Sequence, residues 1–251
     1  TKQELMEVRK EHFYAKSAYK KKELRDKDAK LRTELSKLLQ DNDEFAPEDA
    51  IQFSQWNPYD QNASSPFFDP EWMFGLEEGF DLVIGNPPYL RIQGIRETNS
   101  AFADFLTKTY KAASGSFDLY TVFVEKSLEL INSNGIVNFI MPTKWTNAAF
   151  GKGLRGIISE KSAANKIINF GAYQVFNAST YTGLQLFKPN SPELLYFELD
   201  RDLKSNGELA QYLQTLKTED GSILAKEKLT QEIWTLTSGA TSKIIDKLNL
   251  Q

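Results

Sequence analysis

From residue 80 onward the sequence changes its period. Short apolar runs bounded by glycine or proline alternate with stretches of helical spacing, and a layered α/β sheet is the architecture such alternation builds. The run FDLVIG at 80–85, preceded by Gly79, has the character of a strand buried in a parallel sheet. Helices are predicted over 99–111 and 117–131, the second opened by Ser116 as a cap and closed by Asn134-Gly135. Residues 136–141 form the next expected strand, stopped by Pro142, and 146–159 the next helix. Strands are expected over 166–170, 183–187 and 194–199, the last two making an antiparallel edge through their short link.

The chain ahead of residue 80 is different in kind. Residues 1–40 lack glycine and proline, are rich in Lys, Glu, Leu and Ala, and repeat Leu24, Leu31 and Leu38 at heptad spacing with Leu35 between them. They are predicted to form one long helical arm whose apolar stripe packs on parts outside the chain or on another copy. Residues 41–79 contain four prolines and clustered aromatics, among them Phe53, Trp56, Tyr59, Phe67, Phe68, Trp72 and Phe74. This acidic stretch is expected to be irregular and pinned by its rings. Residues 200–251 are polar, with one weak terminal helix.

With no cysteine and one histidine, His12, in 251 residues, disulfide scaffolds, thiolate nucleophiles, zinc clusters and most histidine-based triads are excluded. No metal site is expected. No apolar run approaches the length of a membrane span and the first residues are too polar for a secretory signal, so a cytoplasmic protein is expected. A net charge of −4 hides an asymmetry: positions 41–84 hold no basic residue, whereas 85–190 carry an excess of them. Charge alone decides nothing about partners.

The sharpest chemical signal is Asn86-Pro87-Pro88-Tyr89, directly after FDLVIG. At average residue usage such a tetrapeptide falls by chance in roughly one chain per thousand of this length. Open α/β sheets bind ligands at the carboxyl ends of their strands, which is where this loop lies. The two prolines fix φ and remove two backbone donors, leaving a stiff loop that offers acceptors and one aromatic face. That set suits an exocyclic amino group on a flat heterocycle. Asn86 Oδ1 and the Pro87 carbonyl can each take one hydrogen while Tyr89 stacks on the ring. Holding both hydrogens draws the nitrogen toward tetrahedral geometry and frees its lone pair for attack, with no prior general base.

In these residues the chain resembles the S-adenosylmethionine-dependent adenine-N6 DNA methyltransferases of restriction-modification systems. The stretch WNPYDQNASSPFFDPEWMFGLEEGFDLVIGNPPY is similar to the approach to the catalytic loop in large enzymes that fuse methylation and cleavage. FDLYTVFVEKSLELINSNGIVNFIMPTKW resembles the helix, strand and Pro-x-x-Trp block that follows, and VFNASTYTGLQLF the next aromatic-bearing loop, so the likeness covers 56–190. It implies a Rossmann-like methyltransferase sheet, of which 80–199 is the catalytic, C-terminal half with antiparallel edge strands. It implies Asn86, Pro87, Pro88 and Tyr89 as the catalytic loop, and Tyr89 with Phe176 as the grip on a flipped adenine of double-stranded DNA. S-adenosylmethionine is the implied cofactor, touched by Asn86 and Phe123, although an aromatic at helical spacing such as Phe123 also suits a core. Lys144, Lys152 and Arg155 are candidates for phosphate contacts or plain surface charges.

One family feature is absent: no Gly-rich turn and ribose-binding acid stand upstream of Asn86. The run Gly151-Lys152-Gly153-Leu154-Arg155-Gly156 matches G-x-G-x-x-G but follows no strand directly, and is expected to be a glycine-bearing helix start. The chain is therefore expected to be an inactive piece of a longer bacterial polypeptide, with a target-recognition domain beyond residue 251. Two alternatives remain open at this point: protein glutamine methylation, which also uses NPPY, and a scaffold or partner-binding module without catalysis.

Overall fold

The structure is a computed structural model that describes residues 1–41, 47–60, 62, 65, 67–176, 181–199 and 201–237. It divides into two units, Thr1–Gly79 and Phe80–Gln251.

The first unit begins with two helices, not the single arm expected over 1–40. Helix α1 spans Lys2–Tyr14 and α2 spans Ala18–Asp41. Ala15 leaves the helix in extended backbone (φ −64°, ψ 130°), and the Ser17 hydroxyl accepts the Lys20 amide at 3.1 Å, starting a new helix. The chain thereby folds back on itself. Leu5 and Val8 of α1 close over Leu24, Leu31 and Leu35 of α2, so the stripe finds its partner within the unit; Leu38 stays exposed. Beneath them the fully buried carboxylate of Asp28 accepts from Arg9 Nε (3.0 Å) and Arg32 Nε (2.7 Å). Arg32 also reaches the Ser54 carbonyl and Arg9 the Met73 carbonyl. This network ties the hairpin to α3 (Pro47–Gln55) and α4 (Pro70–Phe74), two short helices inside the segment expected to be irregular. Trp56 and Phe67 anchor that segment against the core, as its aromatic content implies.

The second unit is an α/β sheet. Strand β1 is Phe80–Gly85; α5 (Ile92–Thr98), α6 (Ser100–Thr109) and α7 (Leu119–Leu130) follow, then β2 (Ile131–Pro142). Helix α8 (Lys152–Glu160) leads to β3 (Ala164–Asn169), β4 (Thr182–Phe187) and β5 (Glu193–Glu198), and then α9 (Asn206–Thr215) and β6 (Ser222–Ala225). The sheet order is β1-β2-β4-β3-β5-β6. β1 and β2 run parallel, β3 and β5 run parallel, and β4 is antiparallel to both β2 and β3. β1, β2, β3 and β5 thus point one way and present their carboxyl ends on one edge.

Several local expectations change. β4 and β5 do not form an antiparallel edge pair; β4 lies inside the sheet, and the antiparallel edge is β6 on β5. The short link between β4 and β5 crosses the start of β3 instead, with the amides of Lys188, Asn190 and Ser191 on the carbonyls of Ala163, Lys161 and Ser162. Asn134-Gly135 sits within β2 rather than ending α7. A Cβ at Gly135 would lie 2.7 Å from the Phe80 carbonyl, at the bulge where the β1–β2 register shifts. Ser116 does not cap α7: Asp118 occupies that place, and the Ser116 hydroxyl accepts from Gln93. The 146–159 helix is shortened to α8, preceded by two single 3-10 turns. The polar stretch after residue 199 supplies α9, β6 and Trp234, whose ring packs 5.2 Å from that of Trp145 in the main core. The terminal helix expected beyond falls in part on 238–251, outside the described residues.

β1 is also less buried than its composition implies. Among the described residues it pairs only with β2, and Leu82 and Ile84 are 54% and 72% exposed.

Candidate active site

Gly85 ends β1, where a Cβ would lie 3.3 Å from the Phe139 ring, and Asn86 follows directly. Asn86 is exposed, Pro87 buried, Pro88 and Tyr89 half-buried. Tyr89 folds back toward the sheet. Its hydroxyl lies 2.6 Å from Asn86 Oδ1 and 2.9 Å from the Ile140 carbonyl, sharing one proton between two acceptors. Its ring meets Tyr120 edge-on, centroids 6.3 Å apart. Tyr89 is therefore a strut that fixes the Asn86 side-chain oxygen at the strand end, an action that the i, i+3 spacing allows and that the motif alone did not reveal.

The burial of this hydroxyl has a titration consequence. Burial pushes the Tyr89 hydroxyl up to about 12. Since this lies above the ordinary value near 10, the stabilisation is complete below about pH 10 and is lost as pH rises through about 12. Tyr89→Phe is expected to remove part of the alkaline loss of stability. Denaturant midpoints at about pH 9 and about pH 11 measure it, and an identical pH dependence in both proteins would contradict the burial of the hydroxyl.

The residues after the loop are zipped to the start of α7. The Ile92 amide bonds to the Phe117 carbonyl (3.0 Å) and the Leu119 amide to the Leu90 carbonyl (2.7 Å), so Arg91 and Asp118 face each other as a cross-strand pair. This zipper places Tyr120 beneath Tyr89. Burial raises the Asp118 carboxyl above its ordinary value, opposed first by Arg91. Burial, with Asp118 facing it short of good hydrogen-bond geometry, keeps the Tyr120 hydroxyl protonated. Arg91, Ser116, Asp118 and Lys144 line a cavity of about 340 Å³ beside the loop.

Phe123 does not belong to the core. It is 42% exposed on α7 while Tyr120, Val122 and Val124 around it are buried, so its ring is open to a ligand. Phe176 is 37% exposed and follows β3. Its segment is held to α9 by Tyr173 Oη on Asn206 Oδ1 (2.8 Å) and Asn206 Nδ2 on the Val175 carbonyl. The rest of that loop, 177–180, lies outside the described residues. Among the described residues Tyr89, Phe123 and Phe176 make no ring contact with one another. The strands that lead into Asn86 and Phe176, β1 and β3, take positions one and four in the sheet, so their carboxyl ends lie about 14 Å apart by strand spacing.

Of the three basic candidates, Lys144 is exposed beside the loop and Lys152 is exposed near Glu232 (3.6 Å). Arg155 is not a surface charge. It is 2% exposed and donates to the carbonyls of Trp145, Ala148 and Gln231. The glycine run around it is a packing device, since a Cβ at Gly151 would fall 1.8 Å from the Trp145 carbonyl and one at Gly153 2.5 Å from that of Lys111. The Trp of the Pro-x-x-Trp block is buried, with Nε1 on Gln185 Oε1 at 2.7 Å.

Residues 1–176 match the model of the Eco57I restriction-modification methylase family. The chain belongs to that family. The match takes in the helical hairpin as well as the NPPY loop, and so begins upstream of the stretch in which the sequence alone shows the likeness. The chain is 32% identical over 173 residues to the type II restriction enzyme and methyltransferase RM.Eco57I of Escherichia coli, covering 68% of this chain and 16% of that protein. To the type II methyltransferase M.XhoI of Xanthomonas vasicola it is 29% identical over 123 residues, 48% of this chain and 22% of that protein. The chain thus spans less than a quarter of the length of each of these two relatives. The type IIG restriction endonuclease BpuSI superposes with a TM-score of 0.42 at 16% identity, over 59% of this chain and 19% of that one.

Proposed function

We propose that this chain carries the amino-group-holding half of an adenine-N6 DNA methyltransferase of a restriction-modification system. The observation that carries the reading is the NPPY loop at the carboxyl end of a parallel strand, with Asn86 exposed and its Oδ1 held by the Tyr89 hydroxyl. Membership of the Eco57I family favours it over protein glutamine methylation and over a scaffold without catalysis. A double helix hides the adenine amino group from such a loop, so the target base must be flipped out. Tyr89 and Phe176 then stack on it, and Asn86 Oδ1 and the Pro87 carbonyl each accept one amino hydrogen. Asn86 keeps a second lone pair for this beside the bond from Tyr89.

The open ring of Phe123 fits the adenine of S-adenosylmethionine, and exposed Leu82 and Ile84 leave an apolar edge on β1 against which another part of the polypeptide can build the remaining cofactor half. When bound, the cofactor supplies an electrophilic methyl carbon on a sulfonium. The described residues include no glycine-rich turn and no ribose-binding acid at this edge. Calorimetry with S-adenosylmethionine on this chain alone is therefore expected to show weak binding and no methyl transfer. Low-micromolar affinity would overturn the division into halves.

The function itself is tested by single-turnover methylation with the intact protein carrying Asn86→Ala.

A further inference from the structure

The hairpin unit contains a cavity of about 830 Å³ that the methyltransferase reading does not use. Its walls are unusual for a chain of net charge −4. Arg9, Lys10, Lys21 and Arg25 contribute four cations, and no carboxylate is among the described residues lining it. Lys10, Lys21 and Arg25 have no ion-pair partner among the described residues. Phe13, Trp56, Tyr59 and Phe74 contribute four rings, of which Phe13 is 78% and Phe74 50% exposed. Two buried polar atoms lie at this wall: His12 Nε2 makes no hydrogen bond, and Tyr59 Oη faces the Asp28 carboxylate short of good hydrogen-bond geometry. His12 packs on Tyr59 with centroids 4.3 Å apart.

Cations with aromatic faces between them are the chemistry that holds a nucleotide: ammonium and guanidinium groups take the phosphate and a ring takes the base. The volume falls in the range of small-molecule sites. We propose that this cavity binds a nucleoside phosphate, with Lys21 and Arg25 on the phosphate and Phe13 against the base. The site stands on the hairpin unit alone and is independent of how the NPPY loop works. The ligand has two sources, a free nucleotide or an unpaired nucleotide of a DNA strand, and both present the same groups.

His12 provides the readout because it is the only histidine in the chain. Burial, then Arg25 and Lys21, hold its imidazole below the ordinary value, while Asp28 opposes them. A phosphate seated among those cations reverses their effect, so binding raises the His12 pKa. The experiment follows the His12 ring protons of the full chain by NMR while adding AMP, a single-stranded hexathymidylate, inorganic phosphate or S-adenosylmethionine. Saturable shifts with a raised pKa are expected from AMP, from the oligonucleotide, or from both, and which of them acts identifies the source. Inorganic phosphate should bind at least tenfold more weakly, and S-adenosylmethionine, which has a base but no phosphate, should leave His12 unmoved. Lys21→Ala with Arg25→Ala should weaken the nucleotide at least tenfold while the circular dichroism stays that of the parent chain. Millimolar AMP and oligonucleotide that both leave His12 unmoved would overturn the proposal. So would phosphate binding as well as AMP, or full affinity in the double variant.

Discussion

Arg155→Met is expected to destabilise the sheet unit by about 2–4 kcal/mol, although the substitution keeps much of the volume and places no new charge. The side chain is buried and faces three main-chain carbonyls, those of Trp145, Ala148 and Gln231. The buried Trp145 carbonyl and the partly buried Gln231 carbonyl depend on this side chain, whereas that of Ala148 also accepts the Gly151 amide at 3.1 Å; a buried acceptor left without a donor costs about 1–3 kcal/mol. Relaxation of the loop recovers part of the sum, which sets the expected range. Because Arg155 joins the turns after β2 to the segment carrying Trp234, the variant should also loosen the Trp145–Trp234 contact. Urea unfolding followed by tryptophan fluorescence measures both: a lower midpoint at unchanged slope, and an altered native spectrum. A loss under about 1 kcal/mol would mean that water takes over the carbonyls and that the arginine is not a structural tie.

What the sequence reveals and what it hides follows from the range of each interaction. FDLVIG and NPPY are legible because a strand of one composition and a proline-stiffened loop are local properties, and β1 and its loop fall where expected. The burial of β1 was not legible: an apolar run reads the same whether its second partner is present or not, and here Leu82 and Ile84 lie open. The place of β4 was hidden for the opposite reason. A short link ordinarily makes a hairpin, but the link after Phe187 bonds across 161–163, and only the assembled sheet decides this. The break at Ala15–Ser17 had a visible signal, a serine able to cap, outweighed by helix-favouring neighbours on both sides.

The site divides along the same line. Asn86 and Tyr89 were legible as types at a spacing. The bond between them was not, nor was the support from Tyr120, whose place in the helix period looks like ordinary core. Phe123 shows the converse, a residue in the same period that the fold leaves open. Arg155 could be read as a surface charge because nothing local distinguishes a buried guanidinium from an exposed one. Glu125 is a similar case, its carboxylate accepting the amides of Lys111 and Ala112 to fasten the chain after α6 onto α7.

Asn86→Ala in the intact methyltransferase should lower kcat by about 100- to 1,000-fold with little change in DNA affinity. The acceptor matters most as the amino nitrogen becomes tetrahedral, so its loss falls on the transition state, and removal of one such preorganised group costs about 2.7–4 kcal/mol. Phe176→Ala should behave differently. In the proposed grip the ring supplies about 1–3 kcal/mol of base stacking, and its loss should show as weaker DNA binding as well as slower turnover. Tyr89→Phe separates the two roles of the tyrosine, because it keeps the ring for stacking and removes the hydroxyl that steadies Asn86. Its kcat should fall between those of the parent and Asn86→Ala, with DNA affinity unchanged. Single-turnover methylation and equilibrium DNA binding on the three variants distinguish these outcomes. A near-normal kcat in Asn86→Ala would mean that the loop is only a turn. An equal loss of DNA affinity in Asn86→Ala and Phe176→Ala would place both on base capture and remove the case for amino-group activation.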